Sequence, residues 1–323
     1  MKTRCSSPSR GYAFAGRARH RRLAGDATRN LPRRSSAFPL ALAGLTVAIL
    51  ASCSPPAQTP TGPAAEFAAA RDNFAKGQNA SYDKALDALE ALGDANPPNA
   101  YTDRARVLRA VIVAGKIEAD LKLSEAYAKG AAVTRNDVAR SADSRLRLDS
   151  QQAGAELALR LGQVVMDLTK GGTLPRNLSL DAPYPSPDPP ATIAALEKMK
   201  EGLPVGPEDL TQASLDAQHI AIADALAEVL HGDRDNAKSK LSAGPVPLNN
   251  AEFALFLTKE VMAGASLYDK KHLDDPTRFK LMAGVADGAA KAGAAALAGS
   301  PDAGQAKRLK KLQDQIKAGI KAS

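Results

Sequence analysis

The sequence predicts an all-α fold built of antiparallel helix pairs joined by short connections. Three observations carry that expectation. From residue 65 onward apolar residues recur three and four apart, the period of a helix face, and no convincing strand of useful length interrupts them. Proline and glycine punctuate the chain where helices should start and stop. Trp is absent and aromatics make up 4 % of the 323 residues, so Ala, Leu and Val must build the core. Side chains this small favour close helix contact over a β-sandwich.

Taken in order, a first helix is expected over 65–76, with Phe67 and Phe74 on one face and Gly77 after it. A second, over 81–94, repeats Ala85, Leu89 and Leu92 and ends before Pro97-Pro98. A long third, over 101–131, carries Val107, Leu108, Val111, Ile112, Ile117 and Leu121. A fourth, over 135–170, carries Leu157, Leu161, Val164 and Leu168 and stops at Gly171-Gly172. Residues 171–190 change character. Six prolines there preclude a helix, so this stretch is either a boundary or a long packed connection. It divides an N-terminal helical part, 65–170, from a C-terminal one, 191–323.

Asp188 reads as an N-cap, with proline at the first helical position, for a helix over 190–201. Pro207 opens the next, over 207–231, closed by Gly232. A short helix follows over 233–243, and Pro245 and Pro247 then break the chain. Helices over 249–268, 276–298 and 301–321 complete the count, the last two begun by Asp275-Pro276 and Ser300-Pro301. Gly284, Gly288 and Gly293, within an Ala-rich helix, read as points of close helix contact.

The N-terminal region has a different logic. Arg33 and Arg34 precede an apolar run from Phe38 to Leu50, and small residues follow. Charged, apolar, then small is the order of a secretory signal peptide. The run from Ala37 to Ser52 holds Pro39 and Gly44 and is shorter than the roughly 20 residues that span a bilayer. Its ending, Leu50-Ala51-Ser52-Cys53, resembles the lipobox of bacterial lipoproteins. That resemblance implies export, cleavage before Cys53 and acylation of its sulfur. Ser54 stands where enterobacterial lipoproteins carry an inner-membrane retention aspartate, so the family pattern implies an outer-membrane anchor facing the periplasm. Initiation at Leu31 would give a leader of ordinary length and leave 1–30 untranslated. The Pro-, Thr- and Ser-rich residues after Cys53, through 64, read as a flexible tether.

Removal of 1–52 changes the charge argument. The whole chain is +8, but ten of its 43 Lys and Arg lie in that segment with only one of its 35 acids, leaving 33 bases against 34 acids. Nothing global then favours nucleic acid. Cys5 and Cys53 are the only cysteines; cleavage removes one and lipid occupies the other, so no disulfide is expected.

Ala85, Leu89, Leu92 and Pro97 are spaced 4, 3 and 5 apart, and the spacing resembles the second helix of a tetratricopeptide repeat. Phe67, Ala70 and Phe74 stand for packing positions of its first helix. The resemblance implies stacked helix pairs with a groove for a partner, and places Tyr82 on the groove. A clean 34-residue period is absent, so an irregular helical bundle is the other architecture the residues allow.

Three histidines follow an acid by three residues: Asp216 and His219, Glu228 and His231, Asp269 and His272. Such pairs share a helix face. Glu228-Val229-Leu230-His231 matches the Glu-x-x-His of di-iron carboxylate bundles, in which a carboxylate and an imidazole donate to one metal. Ion pairing and helix capping explain the same residues, and no catalytic residue or cofactor is expected. The last helix combines an apolar stripe, Leu309, Leu312, Ile316 and Ile320, with a basic face, as a capping helix does. The expected role is a lipid-anchored, noncatalytic envelope scaffold for another protein. A small-ligand accessory of an envelope transporter is the first alternative and a metal-dependent enzyme the second.

Overall fold

The computed structural model describes residues 62–298 and 302–322, and within them the chain is all-α. Ten helices are present: α1 (Pro63–Ala75), α2 (Asn79–Gly93), α3 (Thr102–Val133), α4 (Asp137–Leu168), α5 (Ala194–Lys200), α6 (Pro207–Val229), α7 (Arg234–Ser242), α8 (Asn250–Ser266), α9 (Pro276–Leu297) and α10 (Ala303–Ala322). The lipobox, Leu50 to Cys53, and the tether lie outside the described residues, apart from 62–64 at the end of the tether. None of the described helices is long and apolar enough to cross a membrane.

Local chemistry explains most boundaries. Pro63, Pro207 and Pro276 occupy first-turn positions, where a missing N–H costs nothing. Asn136, Asp233, Asn249 and Asp275 cap α4, α7, α8 and α9 by accepting hydrogen bonds from the free N–H groups of the first turn. Asp188 is a correction. Its carboxylate pairs with Lys238 at 2.6 Å, and α5 starts only at Ala194, after an uncapped Ile193.

α3 and α4 form the long antiparallel pair at the centre. The α1–α2 hairpin packs on one end of α3, α6 lies along α3, the α8–α9 hairpin leans on α4, and α10 closes over α9 and α8. One apolar cluster runs through these layers, from Phe74 and Tyr82 through Leu108, Ile112 and Leu161 to Phe253 and Met282. Small residues set the spacing. A Cβ added at Gly115 would lie 2.6 Å from the Ile222 Cα, so α3 and α6 touch backbone to backbone there. At Gly293 an added Cβ would lie 2.8 Å from the Ala254 Cβ, as expected of a close contact. Gly284 and Gly288 do not behave that way: both face open space.

The proline-rich stretch is packed along much of its length. Ser179–Leu180 (β1) pairs antiparallel with Val246–Pro247 (β2), and the Leu248 N–H donates to the Leu178 carbonyl at 2.8 Å. Leu174, Leu178, Leu180 and Ala182 are buried. Asp181, also buried, is faced by Arg71 and Arg104, each at 3.3 Å. The Ser186 N–H donates to the Ala75 carbonyl at 2.8 Å. Beyond it, residues 186–192 are mostly exposed.

Candidate functional site

α3, α6 and α8 bring three glutamates together. Glu118, Glu228 and Glu260 each offer a carboxylate oxygen within 4.8 Å of the others. Lys259 stands among them, with Nζ donating to Glu228 Oε2 at 2.5 Å and lying 3.2 Å from Glu260 Oε1 and 3.7 Å from Glu118 Oε1. The charges continue outward: Lys122 bridges Glu118 and Asp224, and Arg234 from α7 donates to Asp224 at 2.8 Å.

Glu260 is the exceptional member. It is 1 % exposed, and neither of its carboxylate oxygens receives a hydrogen bond. Lys259, with Nζ 3.2 Å from Oε1, acts on it chiefly through charge. A buried carboxylate without donors is costly in its ionised form. Burial, with the negative charge of Glu118 next in weight, pushes the Glu260 carboxyl up to about 8. Burial also opposes the Lys259 charge, but the Glu228 hydrogen bond and the neighbouring carboxylates outweigh it and raise its pKa.

Glu228 and Lys259 also form one wall of a cavity of about 320 Å³ between α6, α8 and α10. Its floor is Leu255, Phe256 and Leu312, and Glu252, Arg308 and Lys311 stand at the rim. His231 lines the same cavity. It occupies the left-handed position, φ 54°, that ends α6. Its N–H returns to the Glu228 carbonyl, and the Gly232 N–H to the Ala227 carbonyl, both at 3.0 Å. This is the Schellman closure, with histidine where glycine is usual. Its ring makes no hydrogen bond or ion pair among the described residues.

The other histidine pairs divide. His272 has the expected partner, with Nδ1 2.8 Å from the accepting Asp269 Oδ1. His219 does not use Asp216. It is buried between the Tyr82 hydroxyl, 2.7 Å from Nδ1, and the Pro187 carbonyl, 2.6 Å from Nε2. Tyr82 is therefore not a groove residue: it is fully buried, because its hydroxyl satisfies this ring.

A second concavity is larger and open. It measures about 900 Å³ and lies between α3, α4 and the first half of α6. Leu123, Tyr127, Leu146, Leu210 and Leu215 give it an apolar lining, and Arg145, Asp149 and Gln218 give it polar edges. Asp120 also lines it, and burial drives that carboxyl up to about 7 against the pull of Lys116. On α10 the apolar stripe turns inward, with Leu309 and Ile316 buried and the lysines facing solvent.

The sequence pattern singled out Glu228 and His231, and the structure places both at one cavity. It adds Glu118, Lys259 and Glu260, which no short motif connects. Comparison with protein-family models, curated proteins and solved structures gives no match to this chain.

Proposed function

We propose that this chain is a lipid-anchored protein of the bacterial cell envelope that serves as a noncatalytic helical scaffold, holding a partner protein along the α3–α4–α6 groove. The groove is the observation that carries the reading. It is open to solvent, with a largely apolar lining and polar residues at its edges, a surface that can receive an amphipathic helix or an extended segment. Leu215, a large apolar side chain, is 38 % exposed beside it. The anchor rests on Leu50-Ala51-Ser52-Cys53, and the periplasmic face of the outer membrane on Ser54. The α1–α2 hairpin, with Ala85, Leu89 and Leu92 buried, supplies the tetratricopeptide-like unit.

One observation favours a second reading. The cavity of about 320 Å³ has an apolar floor and charged rim suited to a small ligand, as an accessory to a transporter would need.

Capture from detergent-solubilised membranes tests the scaffold reading. The acylated chain should retain one partner, and Leu215→Arg should lose it while keeping its helical circular-dichroism signal. Equal capture by both proteins would move the interaction elsewhere. Cys53→Ser should abolish palmitate labelling; persistence of the label would remove the anchor.

A further inference from the structure

We propose that Glu118, Glu228 and Glu260 form a divalent-cation site in which the Lys259 ammonium is a displaceable stand-in for the metal ion. The inference is independent of the scaffold reading. A cluster of acids would not carry it alone; the second observation is Glu260, 1 % exposed, with a carboxylate oxygen in the cluster and neither oxygen receiving a hydrogen bond. Buried carboxylates are ordinarily paired, hydrogen-bonded or bound to metal. Here, among the described residues, one ammonium serves all three carboxylates at once, from 2.5, 3.2 and 3.7 Å, and Lys122 reaches only the outer side of Glu118.

The geometry suits a single ion. Oxygens on opposite sides of a cation at about 2.1–2.4 Å stand about 4.2–4.8 Å apart. The three carboxylates already place an oxygen each within 4.8 Å of the others, so a cation needs little movement of the helices. Lys259 is 49 % exposed and its stem is flexible, so the ammonium can leave towards solvent. The cavity beside it opens onto both Glu228 and Lys259 and provides the path of entry. Three carboxylates make a hard donor set, which selects magnesium, calcium or manganese over the softer ions; water or the His231 imidazole from the cavity wall completes the coordination. The ligands come from three helices that meet only in the folded state. Binding therefore ties α3, α6 and α8 together, and no reaction is assigned to the ion.

The test is titration of the chain as purified from its native membrane fraction or extract, stripped with chelator, with Mn²⁺ alone, read by calorimetry and electron paramagnetic resonance. One ion per chain is expected. Glu260→Gln and Glu118→Gln should each weaken binding at least tenfold, and Lys259→Met should tighten it at least tenfold by removing the competing charge. Circular dichroism verifies that each variant is folded. Glu118→Gln, at a half-buried position, decides the matter if Glu260→Gln does not fold. No saturable binding by the wild type overturns the proposal, whether or not Lys259→Met binds, because the lysine is then a permanent counter-ion. Binding that survives both glutamine substitutions undiminished also overturns it.

Discussion

The Tyr82 hydroxyl lies 2.7 Å from His219 Nδ1, a buried contact between residues 137 apart in sequence. Pro187 offers only a carbonyl to the other ring nitrogen, at 2.6 Å, so Nε2 carries the proton and donates. In the neutral form of the ring Nδ1 then accepts, and Tyr82 donates to it. One imidazole thereby joins α2, α6 and the proline-rich connection. The same junction is crowded: a Cβ at Gly77 would lie 2.5 Å from the Ser186 carbonyl oxygen and 2.6 Å from the His219 ring.

Tyr82→Phe tests that junction. It keeps the ring and leaves Nδ1 buried without a donor, which costs about 1–3 kcal/mol. The melting temperature should fall by several degrees with no loss of helical signal. An unchanged melting temperature would mean that the contact is incidental.

Asp120 predicts how stability responds to pH. Its carboxyl is raised from 3.8 to about 7 in the folded protein, chiefly by burial. Between those values the folded state holds a proton that the unfolded chain has lost, so stability falls as pH rises across that window, and the loss is complete above about 7. Asp120→Asn should match the wild type near pH 4 and exceed it at pH 8, measured by denaturant unfolding in the presence of chelator. Glu260, raised to about 8, adds a slope of the same sign and leaves some pH dependence in the variant. A wild type that gains stability from pH 4 to pH 8 would contradict both assignments.

The glycines give a paired comparison. At Gly115 an added methyl meets the Ile222 backbone at 2.6 Å, and Gly115→Ala should cost about 1–3 kcal/mol as α3 and α6 are pushed apart. Gly288 sits within α9 facing open space, and Gly288→Ala should add about 0.5–1 kcal/mol through reduced freedom of the unfolded chain. Thermal melts of the two variants should shift in opposite directions.

These particulars also show what the sequence makes legible. The helix starts at Pro207 and Pro276, and within a residue of Asn249, could be read because a start signal is local, carried by a first-turn proline or by a cap and the three residues after it. Asp188 misleads because Pro189-Pro190 imitates a first helical turn, whereas the segment is irregular and held by contacts from elsewhere, Lys238 on Asp188 and His219 on Pro187. The burial of Tyr82 was illegible, since its partner comes from α6. One of the three carboxylates follows the same rule. Glu228 stands out by its spacing to His231, but Glu118 is one acid among many on α3. Glu260 did leave a signal. It falls three residues after Leu257 and four before Gly264, on the buried stripe of α8, where an acid is out of place.

The central claim is that the α3–α4–α6 groove holds a partner protein, and site-specific photocrosslinking in intact cells tests it most directly. A photoreactive residue at Leu215 samples the groove. One at Leu281 on α9 is the control, because Leu281 is more exposed, at 56 % against 38 %, and so meets more random collisions. The expected result is a single crosslinked species of constant mass from position 215 and none from position 281. No crosslink at 215, or the same products from both positions, would contradict the account.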